Sequence, residues 1–415
     1  MNTYLPKSKS TLMTMLPLFM VILIDVMGIV LVLPVLTLLI LQPDSGMVSA
    51  GTSPFLRDFY YGLAMALYPL FMFFSTPILG DLSDKFGRKN ILLLCLLINS
   101  LSYLTSAIGI ISHSLFIFLA SRAIAGIAAG TQPIASAAII DLSTPETKTK
   151  NLAWVVFVSS IGLIIGPLLG GMTAEKNMAS WFSYQTPFYL AAGISLLNGA
   201  LLIFSYRETL SEKKHHAIHL TKGFMLFLAA FLQGNFRLLS TVFFCFMLGW
   251  SLYFQTMNWL LLDKFHYSTS QLGIFTAFMG VVFAVTTSII VRIVMRFASG
   301  ETSAFVVAAM LMAIAGFGSC FSNSEIAQWL WMIMLAGSEV LCYTFILSIF
   351  SGLADSESQG WIMGVTGSIG AITWTVGGLL AGPLGYVNIH LPLFITGSLA
   401  LGSAVLMKLY RRKHE

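Results

Sequence analysis

Residues 80–89 read GDLSDKFGRK, and half of these positions are charged: Asp81, Asp84, Lys85, Arg88 and Lys89. Apolar runs enclose the stretch, PLFMFFSTPIL before it and ILLLCLLI after it. The contrast is large, because only 9% of the 415 residues are charged and 57% are hydrophobic. A soluble globular domain is about 25% charged and about 45–50% apolar. A mean hydropathy of +0.86 places this chain with membrane proteins instead. Residues 80–89 therefore read as a loop at a membrane face, between two spanning segments.

Outward from that loop, apolar runs of about 20 residues recur along the whole chain. Each is long enough to cross the hydrocarbon core as a helix. Spans are expected at 12–40, 59–79, 90–111, 115–140, 152–172, 186–206, 239–262, 270–295, 303–321, 326–351, 361–384 and 388–409. The first could be mistaken for a secretory leader, but its apolar run continues past Pro34 without a small-residue cleavage site. The longest internal polar interruption, residues 207–222, divides the spans six and six. The expected fold class is an all-α membrane protein with twelve transmembrane helices in two six-helix bundles. Residues 1–206 form the first bundle and 239–415 the second. Between them, 207–238 is a linker on the cytoplasmic side. Its stretch GFMLFLAAFLQGNFRL is too short to span and reads as an amphipathic surface helix.

Twelve spans put both termini on one side, and Lys and Arg decide which side that is. Of the 22 Lys and Arg residues, 18 fall on the termini and the odd-numbered loops. They include Lys7, Lys9, Arg88, Lys89, Lys148, Lys150, Arg207, Lys213, Lys214, Lys222, Arg292, Arg296 and Arg411. Three lie opposite, Arg57, Lys176 and Lys264, and Arg122 sits inside a span. Both termini are expected on the cytoplasmic side of the membrane.

The net charge of +5 is a topology signal rather than a nucleic-acid one. Cys95, Cys245, Cys320 and Cys342 all lie in apolar runs without CxxC spacing, so neither a disulfide framework nor a metal site is expected. No nucleotide-binding GxxxxGK[ST] occurs and no nucleophile–base set stands out, which argues against an enzyme. No cofactor is expected; the energy must come from a gradient.

The halves echo each other at an offset of 208: SIGLIIGPLLGG at 160–171 lies over SIGAITWTVGGL at 368–379. Parallel six-helix repeats suggest a secondary transporter with its site between the halves. The pattern G-x-x-x-D-x-x-G-R-K, here Gly80, Asp84, Gly87, Arg88 and Lys89, resembles the hallmark between spans 2 and 3 of the major facilitator superfamily. Physically it reads as a latch. Asp84 stands at a helix end near Arg88 and near the positive N-terminus of a neighbouring helix, while Gly80 and Gly87 permit close approach and a tight turn. The resemblance implies that this loop ties the halves together on the cytoplasmic side when the transporter faces outward. At the repeat position Asp81 becomes Ile289 and Asp84 becomes Arg292, so the second clasp is degraded.

In span 5, Gly162, Gly166, Pro167, Gly170 and Gly171 provide a small-residue packing face. They also resemble the antiporter motif found in exporters of that superfamily. Ionisable residues within spans are candidates for function because they are expensive to bury, and there are three: Asp25, Arg122 and Glu339. Depth along spans 1 and 4 puts Asp25 and Arg122 at one level, either as a static pair or as a carboxylate whose arginine comes and goes. Arg122 and Gly126 match the superfamily's R-x-x-x-G motif, which is associated with proton coupling. Glu339 reads as a second titrating site, a binder of cationic cargo, or a hydrogen-bonded structural acid. Asp141 is expected to cap the STPETK turn.

Spans 1, 4, 7 and 10 face the cavity in the resembled fold. They offer Met27, Gln132, Trp250, Tyr253, Gln255, Asn258, Trp259 and Tyr343, a lining suited to bulky amphipathic molecules. The expected function is proton-coupled export of such molecules by alternating access, resembling the tetracycline and multidrug resistance branch. The alternative is transport of a siderophore or another polycarboxylate. The partners are a small-molecule substrate, protons and the lipid bilayer, not nucleic acid. A monomer is the implied assembly.

Overall fold

The computed structural model describes residues 11–210, 221–353 and 359–414. Lys7, Lys9, Lys213 and Lys214 of the charge count, and residues 211–220 of the expected linker, lie outside them. Among the described residues the regular structure is helical. The first half comprises α1 (Thr11–Leu41), α2 (Pro54–Phe86), α3 (Arg88–Ile111), α4 (Leu115–Ile127), α5 (Thr131–Asp141), α6 (Pro145–Thr173) and α7 (Thr186–Ser205). A short helix, α8 (Lys222–Leu232), leads into the second half. There follow α9 (Gly234–Phe265), α10 (Thr269–Val285), a π-helical turn at Thr286–Ile290, α11 (Val291–Phe297), α12 (Glu301–Phe321), α13 (Glu325–Gly352), α14 (Gln359–Val387) and α15 (Leu391–His414). Among the described residues twelve spans are long and apolar enough to cross a membrane, with α4–α5 and α10–α11 each counted as one. The protein is a multi-pass membrane protein.

Three expected elements differ in form. Residues 80–86 are not a loop. The helix of span 2 runs on to Phe86, and the whole connection is Gly87 at φ +100°, a backbone state that favours glycine. Span 4 is two helices. Pro133 has no N–H to give to Ala129, so the helix stops at Ile127 and restarts at Thr131. Span 8 carries the π turn. Elsewhere, local chemistry starts the helices as the sequence suggests: Thr144 and Thr147 form a capping box at α6, and Ser268 and Gln271 form another at α10.

The glycines of α6 set the packing. A Cβ at Gly162, Gly166 or Gly170 would strike the backbone or side chains of α1 around Leu23, Met27 and Leu31. On the next face, a Cβ at Gly171 would strike Thr269 O and Gly273 of α10. The repeat partner α14 does the same with α9 and α2. Gly377 and Gly385 meet Ser251 and Trp259, and Gly378 and Gly382 meet the backbone of Ala66 and Asp58. Two inter-half seams result, α6 on α10 and α14 on α2.

These seams are tight at the end opposite the termini, here called the far end. There Tyr61 Oη donates to the backbone oxygen of Gln255 at 2.6 Å, and the Ser270 N–H donates to Glu175 Oε2 at 3.1 Å. At the end that carries the termini and most basic residues, the basic end, the halves part around a cavity.

Candidate functional site

That cavity holds about 680 Å³ and is walled by α2, α5, α8 and α14. Met72, Phe73, Ile134, Leu226 and Trp361 supply apolar surface. Asp81, Asp84, Arg88 and Lys222 bring charge to it. Its place follows from the fold: the glycine seams hold the far end shut, and α2 and α14 part toward the basic end. Helix α8 fills part of the gap. Lys222 Nζ lies 2.6 Å from Asp81 Oδ1, and Leu226 packs against Gly364 of α14.

With the basic end open, the charged decapeptide bonds within the first half and to the linker. Among the described residues Asp84 pairs with Arg88, at 3.5 Å, one helical turn along. Arg88 directs Nε to Asp141 at 2.5 Å. Lys89 Nζ donates to the carbonyls of Ile203 and Tyr206, and its N–H donates to Glu208, so span 3 is tied to span 6. Gly80 has open space beside it. The ion pair that joins the stretch to the linker is Asp81–Lys222. Asp141 therefore does not cap the following turn, which Thr144 and Thr147 already satisfy. Its carboxylate takes the stronger, charge-assisted bond to Arg88.

Asp25 is buried in the middle of α1, at 7% exposure. Its carboxyl lies beside the Thr131 side chain and the Gln132 backbone, the first turn of α5. Thr131 Oγ1 makes no hydrogen bond of good geometry, so the contact is that of an acid set at a positive helix end. The break in span 4 creates that end. Three residues on from Asp25, the Tyr103 hydroxyl packs onto Gly28.

Arg122 is equally buried, with its guanidinium carbon 5.3 Å from the centre of the Tyr68 ring and its Nε without a partner. Gly126 makes this possible: it lets α4 rest on the backbone of Tyr68, and Ser75 Oγ donates to Gly126 O at 2.8 Å. Asp25 and Arg122 form no ion pair in this conformation; among the described residues the ion pairs are Arg88–Asp84, Arg88–Asp141 and Lys222–Asp81. Both charges nevertheless act on the same two phenols, Tyr68 and Tyr103, which places them in one neighbourhood.

Glu339 lies mid-way along α13, in the other half. None of the eight residues proposed as cavity lining borders the 680 Å³ space. Met27 is buried under the α6 glycines, and Gln132 offers its backbone to Asp25. Gln255 bonds Ser251 and the Trp374 carbonyl, Asn258 accepts from Thr276, and Trp259 stacks edge-on with Tyr61 at 5.6 Å. Trp250 and Tyr253 are buried, while Tyr343 is accessible. The physical reason is the closed far end, which packs the far half of α9 into the contact between the bundles.

Sequence reasoning passed over Tyr68, Tyr103, Thr131 and Glu175, and took Lys222 only as a topology-setting charge. Proline at 133, one turn after Gly130, was the available signal for a helix end near Thr131. Nothing local distinguishes Tyr68 or Tyr103 from other tyrosines in spans.

The comparisons with known proteins cover nearly the same ground. The Major Facilitator Superfamily model matches residues 18–378. Mouse major facilitator superfamily domain-containing protein 10 is 27% identical over 349 residues, covering 77% of this chain and 72% of the relative. Tetracycline resistance protein, class B, of Escherichia coli is 26% identical over 369 residues, covering 86% of this chain and 85% of the relative. The crystal structure of the human organic anion transporter MFSD10 superposes with a TM-score of 0.71 at 21% identity, over 96% of this chain and 100% of that one. With twelve spans, two glycine seams between halves and a cavity at their divide, the chain belongs to the Major Facilitator Superfamily and is a transporter, resembling its drug:proton antiporter branch.

Proposed function

We propose that the protein exports small amphipathic molecules in exchange for protons, by alternating access, as a monomer in a bacterial inner membrane with both termini cytoplasmic. The observation that carries this reading is the setting of Asp25, a buried carboxyl without an ion-pair partner at the first turn of α5. The same helix turns Pro133, Ile134 and Ala137 toward the cavity. A proton taken or released at Asp25 changes the charge facing that helix end, and α5 transmits the change to the cavity wall. Arg122 can approach or withdraw over Tyr68, and so sets how strongly the carboxylate is favoured. Glu339 supplies a second carboxyl in the other half. The basic-end cavity is then the cytoplasmic vestibule, and the 80–89 stretch its gate. The gate must be worth only a few kcal/mol, or the transporter would stall in one state.

The test uses everted membrane vesicles energised to be acidic inside. Addition of a cargo from a panel of lipophilic cations, tetracyclines and siderophore-like carboxylates is expected to alkalinise the lumen, and Asp25→Asn to abolish the response. A response of wild-type size in Asp25→Asn removes the carrier role from Asp25.

A second reading, transport of a siderophore or another polycarboxylate, is favoured by the unpartnered Nε of Arg122 and by Arg88 and Lys222 at the vestibule. The description of human MFSD10 as an organic anion transporter points the same way. The carboxylate arm of the panel separates the two readings.

A further inference from the structure

Helix α8 carries no polar side chain from Gly223 to Leu232. One face is packed on the protein. A Cβ at Gly223 would strike the backbone oxygen of Phe73 of α2, Leu226 rests against Gly364 of α14, and Ala230 is fully buried. The Phe231 ring lies 5.1 Å from that of Phe227 and 6.2 Å from that of Phe244 of α9. The opposite face is apolar too: Phe224, Met225, Leu228 and Leu232 are 40–78% exposed. Residues 224, 228 and 232 follow at single-turn spacing and so form a stripe. A helix lying on a membrane surface keeps a charged or polar face toward the headgroups, and α8 has none.

Its depth is given by what it touches. Phe73, Phe244 and Gly364 lie six, five and three residues inside the basic-end edges of the expected spans 59–79, 239–262 and 361–384. At ~1.5 Å per residue this is about 5–9 Å inside the hydrocarbon. With 11 residues α8 is too short to cross, and Lys222 and Gln233 put polar groups at its two ends, so it lies along the leaflet. Its outer stripe continues onto the exposed surface of the spans it touches, through Phe74 of α2 and Met363 of α14. Behind α8 is the cavity of about 680 Å³. Lys222 and Leu226 line it together with Phe73 and Gly364, the residues on which α8 is seated. The helix is thus the partition between that space and the bilayer on the α2–α14 side. An apolar gap between spans at this depth draws in acyl chains unless something fills it.

We infer that α8 is a door set in the hydrocarbon of the basic-end leaflet: acyl chains cover its outer stripe, and its inner face keeps them out of the cavity between α2 and α14. Apolar packing on Phe73, Phe244 and Gly364 holds the door shut. The Lys222–Asp81 pair adds a partly exposed contact of small worth. The inference depends on the cavity and not on the cargo, the direction of transport or protons.

The test uses the full chain in nanodiscs of phosphatidylethanolamine and phosphatidylglycerol. The photoreactive amino acid p-benzoyl-phenylalanine replaces one residue at a time, and adducts are read by mass spectrometry. In place of Leu228 it is expected to give lipid adducts in a yield like that in place of Leu401, an exposed residue of span 12. In place of Ala137, on the cavity wall formed by α5, the lipid yield is expected to be severalfold lower. Gly223→Val, which cannot seat against Phe73, is expected to raise the yield at Ala137 toward that at Leu228. Absence of adducts at Leu228 would mean that water covers the stripe, and a crosslink to protein there would mean that a second copy or another part of the chain does; either result overturns the assignment. Equal lipid yields at Ala137 and Leu228 with Gly223 in place also overturn it, and that comparison does not depend on how Gly223→Val folds. An unchanged yield at Ala137 in a folded Gly223→Val would remove the door.

Discussion

The far end and the basic end hold the two halves by different means. At the far end, backbone meets backbone: Gly171 against Gly273, and Gly62 against Gly378 and Gly382. Tyr61 and Glu175 add hydrogen bonds across the divide. At the basic end the halves are separated by a cavity of about 680 Å³, and the Asp81–Lys222 ion pair joins α2 to the linker helix. Close backbone packing leaves no room for a gradual response, so the far end is either seated or parted. Ion pairs between partly exposed side chains break at little cost. A transporter needs both kinds of contact: a seam rigid enough to define one state, and a gate weak enough to leave it.

The largest effect should come from filling a seam. Gly171→Val places a side chain where Thr269 O and Gly273 now lie, and overpacking of this kind costs about 1–3 kcal/mol. Electron–electron resonance distances between labels at Lys176 and Asn388 should lengthen, and transport should fall at least tenfold. Unchanged distances would mean that the seam tolerates a side chain and does not define the state.

A smaller effect, with a defined pH dependence, is expected at Glu175. Burial opposes its charge, but hydrogen bonds from Ser270, Ser268 and Asn177 outweigh that and hold its carboxyl below the ordinary range. An acid held low in the closed form favours closure above its free value of about 4.3, and this contribution is lost as pH falls through the depressed one. Acidification should therefore part the far end. In Glu175→Gln the far end should be looser near neutral pH and this pH response should be gone, as the same pair of labels would report. A response of equal size in Glu175→Gln would place the titrating group elsewhere.

The smallest change is expected from Lys222→Ala. An ion pair whose lysine is 41% exposed is worth about 0–1 kcal/mol and is screened by salt. Transport should change less than about threefold, most visibly at low ionic strength. A loss as large as that of the seam variant would make α8 a gate in its own right.

Spans, halves and the small-residue packing face of span 5 were legible because each rests on a periodic signal: runs of about 20 apolar residues, and glycines four apart in GLIIGPLLGG. The glycines proved informative in detail, since Gly162, Gly166 and Gly170 face α1 while Gly171 faces α10. What depended on partners distant in sequence was not legible. Asp84 is nearest in sequence to Arg88, but Arg88 prefers Asp141, which lies 53 residues away. Depth arithmetic brought Asp25 and Arg122 to one level but could not see that the helix breaks between Ile127 and Thr131 and gives Asp25 a helix end. The proposed cavity residues of α9 were chosen for their helix, whereas the conformation of the halves decides which end of that helix is open.

The central claim is that Asp25 couples cargo movement to protons. The most direct measurement compares wild type and Asp25→Asn in proteoliposomes with an imposed pH gradient, following both uphill accumulation of cargo and its exchange at equilibrium. The expected result is that Asp25→Asn still exchanges cargo but no longer accumulates it. Uphill accumulation by Asp25→Asn at the wild-type rate would contradict the account.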